Sequence, residues 1–277
     1  MTYYYNGFPQ SEHDEKLNLI NVDQLEEDAK RVIPEGAYYY IASGAENEWT
    51  WRNNTAAFNH YQIVPRALTD MEDPQLDTEF MGMKLKTPVM IAPIACHGIT
   101  HKDAEVATQK GAAAAGALFS SSTYANKSVE DIAAAAPDAP RFFQLYLSKD
   151  WNFNKMVFDA VKKAGYKAIM LTVDALISGY REANLRTEFT YPVPLDFFNR
   201  YLGAKGEGQS VAQMYAASAQ KIGPKDVARI KEESGLPVLI KGITCVEDAY
   251  KALGAGADGI YVTNHGGREI DGSPATI

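Results

Sequence analysis

The sequence predicts an α/β protein built as a (β/α)₈ barrel with an N-terminal helical cap, of which the chain contains about six of the eight βα units. From residue 88 onward, short apolar runs alternate with stretches of helical length, which is the pattern of repeated βα units. Each run ends in polar residues, as expected of buried parallel strands that leave the core at one edge. Repeated units that share such an edge favour a barrel over an open sheet.

The composition is that of a globular chain with one core. With 277 residues and 46% hydrophobic content, we predict one domain over residues 1–277, in which residues 1–77 form an arm and a helical cap and residues 78–277 form barrel strands one to six. A net charge of −8 argues against binding to nucleic acid or to an anionic membrane. Small anions would then be bound by local arginines.

The sequence also predicts where the protein resides. Cys96 and Cys245 fall in no disulfide or zinc pattern, so both are expected to be reduced. The N-terminus lacks the layout of a signal peptide, and no apolar run approaches the length of a membrane span. We therefore expect a cytoplasmic protein without a membrane segment.

The first third of the chain predicts the arm and the cap. Residues 1–20 are polar and tyrosine-rich, and we expect an irregular arm there. Asn21 and Gln24 resemble a capping box that opens a helix, which Pro34 ends. Helical pieces follow at residues 36–43 and 48–57, and the alternation around Gly82 predicts a small hairpin within residues 78–88.

Six buried strands are predicted after the hairpin. They cover residues 88–94, 117–122, 141–147, 168–174, 237–242 and 259–265. A long segment, residues 175–222, separates the fourth strand from the fifth; it can be an ordered or a mobile lid, and Gly203, Gly206 and Gly208 indicate mobility. Closing an eight-stranded barrel would need about 60 further residues at ~30 per βα unit. We therefore expect the chain to be a fragment of a barrel or to have its remainder elsewhere.

Several residues with side chains suited to catalysis or anion binding follow the sixth predicted strand. Its apolar run stops at the motif NHGGR, residues 264–268. His265 can exchange a proton near neutral pH, Arg268 can hold a planar anion by two hydrogen bonds, and the glycine pair lets backbone approach a flat ligand. No GxGxxG motif follows a predicted strand, so nicotinamide binding is not expected. His97 and His101 fall in a predicted loop, and no metal site is expected there.

Five motifs at the predicted strand ends, one of them in two parts, resemble one family, the FMN-dependent L-2-hydroxy-acid oxidases and dehydrogenases. They are APIA at residues 92–95, QLY at 144–146, LTVD at 171–174, GYRE at 179–182, LIKG at 239–242 and TNHGGR at 263–268. The resemblance runs from about Val22 to the last residue. Within the family, Tyr40, the sequence STY at residues 122–124, and the segment from Tyr191 to Tyr215 are most similar to members that oxidise L-lactate.

The resemblance implies oxidation of a 2-hydroxy acid to its keto acid, with FMN as the cofactor. Arg181 and Arg268 would bind the substrate carboxylate, since an anion needs a cationic partner. His265 would take the hydroxyl proton, and Asp174 would stabilise the imidazolium that forms. Tyrosine side chains would line the substrate pocket or donate hydrogen bonds in it, namely Tyr40, Tyr124, Tyr146 and Tyr215.

The resemblance also implies a set of FMN-binding residues. Lys241 would stabilise negative charge on the reduced flavin. The remaining members would hold the ring edge or pack along it, namely Pro93, Ile94, Ala95, Ser122, Gln144, Thr172 and Thr263. Alanine at position 95 leaves room for a methyl group on the substrate. The FMN phosphate would be held by loops after the last two barrel strands, outside residues 1–277.

Three functions remain open from the sequence. The first is oxidation of L-lactate to pyruvate by molecular oxygen, which yields hydrogen peroxide. The second retains this chemistry with a quinone or cytochrome acceptor, or with a longer 2-hydroxy acid. The third is a truncated, non-catalytic chain that binds no flavin. The resemblance also implies a homotetramer.

Overall fold

The N-terminus forms a β-hairpin. The computed structural model describes residues 2–12, 19–196 and 206–277, and it begins with β1 (Thr2–Tyr5) paired antiparallel to β2 (Phe8–Ser11). The turn residues Asn6 and Gly7 have φ angles of 46° and 87°. An Asn-Gly pair is a strong hairpin signal, because both residues tolerate positive φ. The prediction of an irregular arm is therefore wrong for residues 2–11.

Three helices and a second hairpin follow. The helices are α1 (Asp23–Val32), α2 (Glu35–Ala42) and α3 (Trp49–Ala56), and a 3₁₀ turn covers Ala57–His60. They lie where the sequence predicts helices. The predicted hairpin within residues 78–88 is also confirmed, as β3 (Thr78–Phe80) and β4 (Met83–Leu85). Its turn again uses two residues of positive φ, Met81 and Gly82.

The central sheet has five parallel strands within the described residues. These are β5 (Phe119–Ser122), β6 (Arg141–Leu145), β7 (Ile169–Thr172), β8 (Val238–Ile243) and β9 (Gly259–Val262). Each strand pairs with the next one along the chain, so spatial order follows chain order throughout. A doubly wound sheet would reverse its order at a switch point, whereas a (β/α)₈ barrel does not. The predicted barrel architecture is confirmed by this order.

Helices connect the strands. In chain order they are α4 (Ala104–Ala114), α5 (Val129–Ala135), α6 (Trp151–Lys163), α7 (Glu182–Arg186), α8 (Val211–Ala216), α9 (Pro224–Ser234) and α10 (Val246–Gly254). A further 3₁₀ turn covers His97–Ile99. Within the segment predicted as a lid, residues 175–222, the structure contains α7 and α8; Gly203 lies outside the described residues. None of the described helices is both long and apolar enough to cross a membrane.

The predicted first strand, residues 88–94, is not a strand. It makes a single parallel bridge, between Ile91 and Phe119. The Ile91 amide donates to the Leu118 carbonyl oxygen at 2.8 Å, and the Ile91 carbonyl accepts from Ser120 at 3.0 Å. The segment is bounded by prolines at positions 88 and 93, which have no amide hydrogen with which to extend the ladder. The described sheet therefore has five strands where six were predicted.

Four clusters of buried apolar residues lie within the described part of the chain, and two of them determine how the site is built. The larger cluster lies between the sheet and its helices, and it includes fully buried Val157, Val161, Ile169 and Ile230. The smaller cluster contains the tyrosines that follow β5 and β6 together with residues of α8. Because the second cluster packs beyond the strand ends, it positions aromatic side chains at that edge of the sheet.

Arg141 is the first residue of β6, at the end of the sheet that lies opposite the carboxyl ends of the strands. Its guanidinium donates hydrogen bonds at 2.9–3.3 Å to the carbonyl oxygens of Ala136, Pro137, Ala139 and Ala164. We expect Arg141→Met to lower the free energy of unfolding by about 2–4 kcal/mol, because it removes part-buried hydrogen bonds from a charged group to four carbonyl oxygens. Urea denaturation would measure the loss.

The matched control for this stability prediction is Arg186→Met. Among the described residues Arg186 forms an ion pair with Glu182 alone, and its side chain is 78% exposed. An exposed ion pair contributes about 0–1 kcal/mol, so the control should change stability little. Equal losses in the two variants would show that the Arg141 hydrogen bonds do not stabilise the fold.

Candidate active site

A cavity of about 260 Å³ lies at the carboxyl ends of the parallel strands. The predicted site residues line it with two exceptions, Thr172 and Asp174, each of which contacts a lining residue. The lining members are Tyr40, Pro93, Ile94, Ala95, Ser122, Tyr124, Gln144, Tyr146, Arg181, Tyr215, Lys241, Thr263, His265 and Arg268. They converge because parallel strands end at a common edge, so residues far apart in sequence share one cavity.

His265 follows β9 and has a left-handed backbone, with φ of 59°. Its Nδ1 lies 2.9 Å from Asp174 Oδ1, and its Nε2 lies 3.3 Å from the Tyr146 hydroxyl. Asp174 is an acceptor, so the neutral imidazole carries its proton on Nδ1 and donates it to the carboxylate. The Nε2 lone pair is consequently directed at the cavity and at Tyr146.

The surroundings set the protonation of this pair. Burial lowers the pKa of His265 below its usual value, and Lys241 lowers this pKa further against the opposing effect of Asp174. Burial raises the pKa of Asp174, but the hydrogen bond with His265 and the charges of His265 and Lys241 outweigh it, so the net pKa is below the usual range. Near neutral pH the pair is thus a neutral imidazole beside an ionised carboxylate.

The lowered pKa of His265 makes the stability of the fold depend on pH. Between the unfolded value of about 6.5 and the lower folded value, the unfolded chain binds more protons, so stability is full above about pH 6.5 and is lost as pH falls below it. We expect His265→Gln to lose less stability than the parent between pH 7 and pH 5.5, as measured by urea denaturation. Exposed His60 provides the control, since His60→Gln should retain the parent's pH dependence.

Lys241, in the second half of β8, is the third charged or titratable residue of this group, beside His265 and Asp174. Its Nζ lies 3.9 Å from Asp174 Oδ1 and 3.3 Å from His265 Nδ1, and its side chain is 7% exposed. The following residue, Gly242, has φ of 111°, and a Cβ atom there would come within 2.6 Å of the Asp174 side chain. Glycine at this position therefore allows β8 to approach the carboxylate closely.

Two arginines line the same cavity. Arg181 donates from Nε to the Arg268 carbonyl oxygen at 3.0 Å and from Nη2 to Glu269 at 2.7 Å. Arg268 donates from Nη1 to the Gly266 carbonyl oxygen at 3.0 Å and from Nη2 to that of Ile41. Burial and the neighbouring Arg181 lower the pKa of Arg268. A bound carboxylate would relieve the repulsion between the two cations, so the arrangement suits a small organic anion.

The tyrosines form a connected wall. The rings of Tyr124 and Tyr146 stack with centroids 4.7 Å apart, and the hydroxyls of Tyr146 and Tyr215 lie 3.3 Å apart. Tyr40 places its hydroxyl 3.1 Å from that of Tyr191. Burial raises the pKa of each of these phenols, so all remain neutral hydrogen-bond donors. The Tyr124 hydroxyl bonds Met214 and Ser218, so Tyr124 contributes its ring to the cavity wall.

The donor set on the adjoining wall fits the polar edge of a flavin ring. Ser122 Oγ donates to Gln144 Oε1 at 3.0 Å, and Gln144 Nε2 donates to Thr172 Oγ1 at 2.8 Å, which joins three neighbouring strand ends. Lys241 extends this polar row, and residues 93–95 line the cavity beside it. Amide, hydroxyl and ammonium groups along one wall suit the nitrogen and oxygen atoms of FMN.

Other residues of the site were not predicted. Glu269 is buried and binds Arg181 and Tyr215, while Tyr261 lines the cavity. The position of Glu269, directly after Arg268 in a strand-end motif, is a signal that could have identified it. Tyr261 lies inside an apolar run, where the sequence does not distinguish a lining tyrosine from a core residue.

Comparisons with known proteins agree with this geometry. Residues 29–277 match the family described as FMN-dependent dehydrogenase. The chain is 76% identical to an L-lactate oxidase of Lactobacillus jensenii over all of its length and 68% of that protein. It is 52% identical to an L-lactate oxidase of Lentilactobacillus hilgardii, over 98% of the chain and 74% of that protein. The structure of a Pediococcus acidilactici lactate oxidase matches with a TM-score of 0.94 at 48% identity, over 99% of this chain and 74% of that one.

Proposed function

The chain belongs to the FMN-dependent dehydrogenase family, and from this membership we propose that it oxidises L-lactate to pyruvate with molecular oxygen as the electron acceptor. The observation that carries the proposal is the 76% identity to an L-lactate oxidase over the whole chain. Two electrons and two protons leave L-lactate and reduce oxygen to hydrogen peroxide. FMN is the cofactor, and when bound it supplies the two-electron acceptor at the reacting carbon.

The two arginines bind the substrate carboxylate in this proposal. Arg181 and Arg268 both line the cavity, and each is held by backbone carbonyl oxygens. Their orientation is thereby established before the substrate arrives, which lowers the entropy cost of binding. Tyr40 and Tyr215 line the same wall and enclose the bound acid.

His265 acts as the base. Its Nε2 has no proton when Nδ1 donates to Asp174, so it can accept the proton of the substrate hydroxyl. The resulting imidazolium is stabilised by the Asp174 carboxylate at 2.9 Å. The Tyr146 hydroxyl lies 3.3 Å from Nε2. It donates a hydrogen bond to the substrate oxygen and so holds the substrate hydroxyl beside His265.

The remaining residues hold the cofactor. Lys241, Ser122 and Gln144 would provide polar groups for its ring, and Thr172 would orient Gln144 through the hydrogen bond between them. Pro93, Ile94, Ala95 and Thr263 line the cavity around it, and the small Ala95 side chain leaves space for the methyl group of lactate. Lys241, whose buried side chain lines the cavity, would also stabilise negative charge on the reduced cofactor.

The test is spectroscopic. The purified protein mixed with FMN should become yellow, and L-lactate should bleach the flavin absorbance under nitrogen. Admitting air should restore the absorbance and release hydrogen peroxide in an amount equal to the pyruvate formed. Fast reoxidation by a quinone dye together with slow reoxidation by air would instead assign a dehydrogenase. A protein that FMN cannot colour would be a non-catalytic chain.

We also propose that the chain forms one barrel domain and assembles as a cytoplasmic homotetramer. The support is the family resemblance and the single βα series from β5 to β9. Light scattering coupled to size-exclusion chromatography should give four times the chain mass. A monomeric mass would contradict the assembly and leave the oxidase proposal intact.

A further inference from the structure

Glu269 is a buried carboxylate that the proposed reaction does not use. Its side chain is 5% exposed, and its two oxygens accept hydrogen bonds from three residues in two different segments of the chain. Oε1 accepts from Arg181 Nη2 at 2.7 Å and from the Tyr215 hydroxyl at 3.2 Å, while Oε2 accepts from the Gly179 amide at 2.8 Å. Glu269 thus binds two residues that are proposed to contact the substrate, Arg181 and Tyr215, and it can influence which substrate they bind.

The charge of Glu269 acts directly on Arg181. Burial lowers the pKa of Arg181, but its neighbours Tyr215 and Glu269 raise it to a value above the usual one. Nε and Nη2 of Arg181 are already engaged, by Arg268 and Glu269, and within residues 2–12, 19–196 and 206–277 no partner contacts Nη1. Arg181 therefore offers the substrate Nη1 and the second hydrogen of Nη2, from a guanidinium whose charge is partly balanced.

The charges around the cavity support a specific limit on the substrate. Within the described part of the chain, the cations that line it are Arg181, Arg268 and Lys241, and the carboxylates that contact them are Asp174 and Glu269. With His265 neutral, three cations against two carboxylates leave one excess positive charge. One substrate carboxylate neutralises this excess, and a second would meet the field of Glu269 in a site of low dielectric.

We propose that Glu269 is a specificity-determining residue that restricts the site to 2-hydroxy acids with a single carboxylate. The inference rests on the proposed function, since it assigns the substrate class of the same site. It predicts that removing the charge of Glu269 admits dicarboxylates, whereas weakening its hydrogen bonds alone does not. Charge and geometry can be separated because glutamine and aspartate each preserve one of them.

The experiment measures binding of two unreactive acids to the FMN-loaded protein by titration calorimetry. Malonate and acetate differ by one carboxylate, and their affinity ratio reports the charge selectivity of the site. In Glu269→Gln, which retains the side-chain length, we expect the ratio of malonate to acetate affinity to rise about tenfold or more, equivalent to about 1.4 kcal/mol. In Glu269→Asp, which keeps the charge on a shorter side chain, the ratio should stay within about threefold of the parent.

The same variants give a second measurement by turnover. In Glu269→Gln, kcat/KM for L-malate relative to L-lactate should rise with the malonate ratio, whereas in Glu269→Asp both substrates should lose activity together. Equal shifts of the binding ratio in the two variants would assign Glu269 a purely structural role. An unchanged ratio in Glu269→Gln would overturn the inference as well. Calorimetry needs no turnover, so failure of the parent to oxidise L-lactate would refute the proposed function without obscuring the binding result.

Discussion

Replacing His265 by glutamine is expected to leave FMN bound and to slow anaerobic flavin reduction by L-lactate by about 10³-fold or more. Glutamine preserves a side chain of similar reach but has no group that can accept a proton near neutral pH. The hydroxyl proton then has no acceptor at Nε2, and the Asp174 carboxylate loses the partner that lies 2.9 Å away. Stopped-flow absorbance at saturating L-lactate measures the rate of this step directly.

Two further variants test whether the effect of His265→Gln is specific to the proposed base. His60→Gln changes an exposed histidine and should reduce flavin at the parental rate. Asp174→Asn retains a side chain of the same size but removes the charge that stabilises the imidazolium, so it should also be slow while binding FMN. Near-normal flavin reduction in His265→Gln would exclude His265 as the base and would require a proton acceptor elsewhere in the cavity.

The second large effect concerns Arg181 and its partner. Arg181→Met should lower kcat/KM for L-lactate by about 10²-fold or more, because a charged hydrogen bond to a buried carboxylate is worth several kcal/mol when one partner is removed. It should also destabilise the fold by about 3–5 kcal/mol, since Glu269 becomes a buried charge without its cation. Steady-state kinetics and urea denaturation measure the two losses separately.

A double variant separates binding from stability. In Arg181→Met combined with Glu269→Gln, no unpaired carboxylate remains at this position, and most of the lost stability should return. The loss of kcat/KM should persist, because the substrate carboxylate still lacks Arg181. Recovery of kcat/KM in the double variant would mean that Arg181 serves only to neutralise Glu269 and does not bind substrate.

The strand ends were predictable because their signal is local. A buried parallel strand must be apolar along its length and can become polar only where it leaves the core, so Ser122, Gln144, Lys241 and His265 are marked in the sequence by position alone. Their meeting in one cavity then follows from parallel pairing in chain order. The NHGGR motif and the family resemblance identified the residues, and the structure brings them together.

Two errors of prediction had different physical causes. The hairpin of residues 2–11 carried a local signal at Asn6 and Gly7 that the polar composition of the arm obscured. The segment 88–94 has the apolar content of a strand, but the prolines within it leave Ile91 with only one bridge. Apolar content reports burial, whereas a strand also requires amide donors on both sides of the ladder.

The sequence by itself determined the class of fold, the family and most of the residues around the cavity, because apolar runs and strand-end motifs depend on neighbours in the chain. Only the tertiary structure decided which nitrogen of His265 faces Asp174, and that Arg181 is shared between Arg268 and Glu269. These pairings join residues about 90 positions apart through hydrogen bonds of about 3 Å. Such contacts depend on the relative placement of strands and loops, which no local pattern encodes.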